Sequence, residues 1–240
     1  MSSPARNHFL RACAALAAQA EQDANPLQNA SGYELMLVQL GEHKRQLKQI
    51  QSVERKAEAK RRMLPEYAAW MEGVLQADSG AQDDVFMTVL VWHIDAGEFA
   101  AALPLAAYAI RHKLTMPDQY KRTTACLIAE EFANMVLKAP EAIRLEDAGA
   151  LVELEALLNG EDMPDEVRAK LHKALGYAVN QAVTGMDDAT ARELREQALT
   201  HLRRALELHD KSGVKKDIER IEREIKNAAP TGAQEGDGKS

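Results

Sequence analysis

The chain has 240 residues and a formal net charge of −7, with 46% apolar, 5% aromatic and 28% charged residues. That apolar fraction is enough for one large packed domain or two small ones, and it excludes a chain disordered throughout. Glycine and proline are sparse while alanine, leucine, glutamate, lysine and arginine dominate, which excludes a strand-rich fold and predicts an all-α protein.

No apolar run approaches the roughly 20 residues needed to span a bilayer, and the N-terminus lacks the apolar stretch of a signal peptide. The expected compartment is the cytoplasm, without a membrane partner. Cys13 and Cys126 lie far apart, with no spacing suited to metal or redox work, and read as small core residues in a reducing compartment.

The first predicted helix runs from about Pro4 to Glu21, with Phe9, Leu10, Cys13, Leu16, Ala17 and Ala20 on one face and a break at Asn25 and Pro26. A longer helix is predicted from Ser31 to Leu64. Tyr33, Met36, Leu40, Leu47, Ile50, Ala57 and Leu64 fall on its heptad seam, which is interrupted by His43, Glu54 and Arg61. From Lys44 to Arg62 it carries eight basic residues, Lys44, Arg45, Lys48, Arg55, Lys56, Lys60, Arg61 and Arg62, against Glu54 and Glu58. The local charge is +6, which leaves the other residues at −13 against the total of −7. This asymmetry fits a nucleic-acid or other polyanion surface, and it fits equally the solvated face of a coiled coil. The seam residues Leu40, Leu47 and Ile50 are candidates for self-association.

After Pro65, an amphipathic segment with Tyr67, Trp70, Val74 and Leu75 leads to a joint at Asp78 to Gly80. Ser79 with Gln82 reads as a capping box, and Asp83 and Asp84 add negative charge at the start of a helix containing Val85, Val89, Trp92 and Ala96. Phe86, Leu90 and Ile94 widen its apolar stripe, so it is expected to be buried. Gly97 ends it, and Phe99, Leu103, Ala106, Ala107 and Ile110 form the apolar face of a return helix that Pro104 is expected to kink.

Beyond Pro117 a polar connector precedes Thr123 or Thr124 as the N-cap of a helix to Lys138. The acidic stretch from Glu141 to Asp165 holds a helix near Leu145 to Leu158. Pro164 then opens a helix with Leu171, Leu175 and Val179, and after Gly185 another carries Ala198, Leu199, Leu202, Ala205 and Leu206. These runs, with residues 101–110, resemble the helices of tetratricopeptide units, although no regular 34-residue period holds. Gly213 starts a last charged helix to Asn227. The expected domains are an N-terminal helix and linker at 1–30, a basic coiled-coil-like region at 31–78, a helical-hairpin domain at 79–227, and a disordered tail at 228–240.

Chemistry-bearing motifs are few. Asp83 and Asp84 are adjacent, so on a helix they diverge by about 100° rather than meeting at one ion. Glu224 and Lys226 form an ExK-like pair without a strand to hold them, and no HExxH or phosphate-loop pattern occurs. No catalytic residue, metal ligand or cofactor is predicted.

The segments GAQDDVFMTVLVWHIDAGEF, LTMP followed by KRT, MPDEVRAKLHK, GVKKDIERIEREIK and YELMLVQL resemble the small terminase subunit of temperate contractile-tailed phages, the GpM type, sometimes named the terminase endonuclease subunit. The resemblance spans most of the chain. It implies recognition of duplex phage DNA at the cohesive-end site in the host cytoplasm, then cleavage and packaging with a large ATPase subunit. Self-assembly of the subunit is also implied. The nearly uncharged ending APTGAQEGDGKS departs from the basic tail of some members. Two further readings stay open, a site-specific endonuclease and a helical scaffold that binds only protein. Arg111, Lys113, Lys121 and Arg122 form a second candidate DNA surface.

Overall fold

A computed structural model describes residues 3–20, 30–116 and 122–228. The break around Asn25 and Pro26, most of the connector after Pro117 and the tail beyond Ala228 lie outside the described residues. Eleven α-helices and two short 3₁₀ turns make up the described chain, and no strand occurs among these residues. In order the helices are α1 (Pro4–Ala20), α2 (Ala30–Gln49), α3 (Val53–Met63), α4 (Ala68–Ala77), α5 (Asp84–Asp95), α6 (Phe99–Arg111), α7 (Thr124–Lys138), α8 (Leu145–Leu157), α9 (Asp165–Gln181), α10 (Asp188–Leu208) and α11 (Lys215–Ala228).

Helix α5 is the pillar of the fold. Nine of its twelve residues are buried, from Val85 to Trp92 and Ile94, because α3, α6 and α7 pack around it with smaller contacts from α2 and α4. Its start is fixed by Asp83, whose carboxylate accepts the Phe86 backbone N–H at 2.8 Å and the Trp70 indole N–H at 2.8 Å. The capping box expected at Ser79 and Gln82 is therefore replaced by an Asp83 cap. Ser79 accepts instead from the Ala81 N–H, and the Gln82 amide clasps the Thr115 backbone at the far end of the hairpin. Burial raises the Asp83 pKa, opposed by the N–H groups that bind the carboxylate. Gly97, at φ +74°, makes the turn into α6.

The helix expected from Ser31 to Leu64 is two helices. It breaks at residues 50–52, where the Ser52 hydroxyl accepts the Arg55 N–H at 3.3 Å and caps a new helix. The change of direction turns the α2 seam into the protein. Leu40 and Leu47 are 2% and 7% exposed in the chain's own core, and Ile50 packs against it. The residues predicted for contact with a neighbour are thus occupied inside one chain.

One apolar core runs from Leu10 on α1 to Ala178 on α9 and passes without interruption across residue 79. Close helix crossings rest on glycine. A β-carbon at Gly73 would lie 2.6 Å from the Arg11 carbonyl oxygen where α1 crosses α4, and one at Gly176 would lie 2.6 Å from Leu202 where α9 meets α10. Helix α11 packs mainly on α10, through a second small cluster of Leu199, Leu202, Val214 and Ile221.

Candidate nucleic-acid interface

The eight cations predicted as a DNA surface divide between two jobs. Lys60 reaches Asp95 at the end of α5 as a half-buried ion pair. Arg61 donates from Nε and Nη2 to the Ala96 carbonyl, at 2.9 and 2.7 Å. That carbonyl belongs to the C-cap of α5, where a cation also meets the negative end of the helix. Both side chains therefore fasten α3 to the pillar.

On α2, Arg45 pairs with Glu42 one turn back and donates to the Gly41 carbonyl. Burial lowers the Lys44 pKa, opposed by nearby Asp84 and reinforced by Lys48. Five cations remain without an ion pair or side-chain hydrogen bond among the described residues: the half-buried Lys44, and Lys48, Arg55, Lys56 and Arg62. Arg55 and Arg62, two turns apart on α3, line an open cleft at the α2–α3 corner together with Glu58, Gln49, Gln51 and Ser52. An open surface presenting separated guanidinium groups suits phosphate oxygens, which arginine binds in bidentate fashion.

The second candidate surface is largely neutralised. Arg111 pairs with Asp78 and lies 5.9 Å from the centre of the Tyr108 ring, and Arg122 pairs with Glu130. Lys113 is exposed, while Lys121 lies outside the described residues.

The carboxylate pairs considered for cleavage are dispersed. Asp83 is buried as a helix cap and Asp84 is exposed. Glu224 is held by Arg195 and Arg220, away from Lys226. Among the described residues no three His, Cys, Asp or Glu side chains group as a metal site.

Sequence reading also missed two histidine contacts. His43 lies 2.8 Å from the Tyr67 hydroxyl in the core, and His172 Nδ1 faces His201 Nδ1 at 3.1 Å between α9 and α10. Burial, with His201, Arg204 and Arg168 nearby, lowers the His172 pKa to about 4. Nothing in the spacing of 172 and 201 signals this pair, because only the register of α9 on α10 brings them together.

The family model for the phage small terminase subunit matches residues 37–166, from within α2 to the first turn of α9. The chain belongs to the phage small terminase subunit family. It is 46% identical over 226 residues to the "Terminase, endonuclease subunit" of Escherichia phage P2, covering 94% of this chain and 87% of that one. It is also 25% identical over 177 residues to the "Probable terminase, endonuclease subunit" of Haemophilus phage HP1 (strain HP1c1), covering 71% of this chain and 62% of the relative. No solved structure matches it. The terminase small subunit thus carries its α2–α3 corner inside the family's matched region, and α10 and α11 beyond it. Among the described residues no helix is long and apolar enough to cross a membrane. Family membership places the chain in phage DNA packaging.

Proposed function

We propose that this terminase small subunit binds duplex phage DNA at the cohesive-end site and directs its cleavage and packaging with the large ATPase and nuclease subunit in the host cytoplasm. Arg55, Lys56 and Arg62 on α3 make the main phosphate contacts. The observation that carries this reading is that none of the three has an ion pair or side-chain hydrogen bond among the described residues, with Arg55 and Arg62 on an open corner of a protein whose net charge is −7. Lys60 and Arg61, given the same role by sequence, act instead as fasteners that set the position of α3. Cleavage belongs to the partner subunit in this reading, since Asp83 and Glu224, two of the carboxylates weighed for it, are committed to a helix cap and to ion pairs.

The test is DNA binding by the purified chain and by the Arg55→Gln, Lys56→Gln, Arg62→Gln triple variant. The reading predicts binding to cohesive-end DNA and a loss of affinity in the variant on cohesive-end and random duplexes alike, because phosphate contacts carry no sequence information. Equal affinities for parent and variant would refute it.

A further inference from the structure

Between α7, α9 and the turn from α10 to α11 lies an open cavity of about 390 Å³. Leu137 of α7 and Val167 of α9 give it an apolar side, and charged groups ring the rest. Glu166, Lys170 and Lys173 follow at spacings of four and three residues, so they share one face of α9. Arg122 and Lys170 both reach Glu130, Lys170 at 3.7 Å, and are partly neutralised by it. Three cations against two carboxylates still leave the lining one positive charge, in a chain whose total is −7.

Three polar groups of this lining lack a full set of partners. Lys173 forms no ion pair among the described residues. Its ammonium group donates one hydrogen bond, to the Ser212 carbonyl at 2.8 Å, and lies 5.7 Å from the centre of the Tyr177 ring, which leaves donors unused. The Ser212 hydroxyl is buried and has no hydrogen-bond partner, a state that costs stability until a ligand or water completes it. The His209 imidazole has no side-chain partner among the described residues. The turn that carries His209 and Ser212 is closed by the Ser212 N–H on the His209 carbonyl at 3.0 Å, and the Lys173 bond ties it to α9. The three groups are therefore held on one frame before any ligand arrives.

We infer that this cavity binds a phosphate monoester, with the phosphate oxygens on Lys173, Ser212 and His209 and the ester group over Leu137 and Val167. A phosphate brings negative charge and three strong acceptor oxygens on one centre, which answers the excess of charge and of donors in the lining. The cavity is larger than a phosphate alone and falls in the size range of small-molecule sites. Two sources carry that chemistry, a free mononucleotide and the 5′-phosphate at the end of a DNA strand. The site shares no residue with the Arg55, Lys56 and Arg62 surface, so the inference is independent of the DNA reading.

Calorimetric titration of the whole chain with deoxyadenosine 5′-monophosphate tests it, with deoxyadenosine as the control that lacks the phosphate. The parent is expected to bind the nucleotide saturably and to leave the nucleoside unbound. Ser212→Ala removes only the unpartnered hydroxyl, so without ligand it is expected to melt at or above the parental temperature, yet to bind the nucleotide about tenfold more weakly. Lys173→Met, which takes away the unpaired charge, is expected to lose more. The Arg55→Gln, Lys56→Gln, Arg62→Gln variant should bind the nucleotide as the parent does. A short duplex with 5′-phosphates displaces the nucleotide if a DNA end is the source, and one without them does not; a free nucleotide is the source if neither displaces it. No saturable binding by the parent, equal binding of the nucleoside, or parental affinity in both Ser212→Ala and Lys173→Met would each overturn the inference.

Discussion

The α2–α3 arm and the α10–α11 hairpin are both densely charged, yet they dispose of their charge in opposite ways. Across α10 and α11 the arginines are answered locally. Arg203 meets Glu222 at 2.7 Å, Arg195 meets Glu224 at 3.3 Å, and Arg220 bridges Asp217 and Glu224. Under this lattice lies the small cluster of Leu199, Leu202, Val214 and Ile221. Within α3 only Glu54 and Glu58 accompany five cations, so Lys60 and Arg61 bond to α5, while Arg55 and Arg62 are exposed and Lys56 is half-buried. A run of charge thus says little until its partners are located. The surplus left after pairing is what an external polyanion can use.

The comparison breaks most visibly in the apolar cluster. Leu202 is fully buried against Gly176, and Leu202→Ala is expected to cost about 3 kcal/mol through lost burial and the cavity left behind. Thermal melting measures this. DNA affinity of the folded fraction should not change, and a parallel loss of affinity would mean that α10 takes part in the interface.

Acid should loosen the same end of the molecule. His172 titrates near 4 when folded and near 6.5 when unfolded, so between those values the unfolded chain binds the extra proton. Stability is therefore lost as pH falls through that window, by at most about 3 kcal/mol for this group. His172→Phe is expected to flatten the stability profile between pH 6.5 and 4. An unchanged acid limb in the variant would show that other groups carry it.

The all-helical class, the burial of α5 and a threonine cap of α7, at Thr123 or Thr124, were legible in the sequence, because each follows from residues within a few turns of one another. The division of labour within α3 was not. Lys60 finds Asp95 and Arg61 finds Ala96 across 35 residues of chain, and no local pattern distinguishes them from Arg55 or Arg62. The break before Ser52 was hidden by a heptad that continues through it, with apolar residues still at Ile50 and Ala57. For the Asp83 cap, the competing pattern at Ser79 looked equally good. The Trp70 indole, which binds the second carboxylate oxygen, tips the balance.

A smaller effect sharpens the role of the two fasteners. Arg61→Gln removes two hydrogen bonds to the α5 C-cap and is expected to cost about 1 to 2 kcal/mol, read as a fall in denaturation midpoint. Substituting Arg62, its sequence neighbour without a side-chain partner among the described residues, should alter stability by no more than about 0.5 kcal/mol. Equal losses at both positions would erase the distinction between fastened and free cations.

The central claim is that the free cations of α3, rather than charge in general, hold DNA. It is tested most directly by the salt dependence of binding. Each phosphate contact contributes about −0.9 to the slope of log K against log salt. The Arg55→Gln, Lys56→Gln, Arg62→Gln variant should lose roughly 2 to 3 from the magnitude of the parental slope. Arg203→Gln in the paired lattice should leave the slope as it is. A triple variant that keeps the parental slope, or an Arg203 variant that loses as much, would contradict the account.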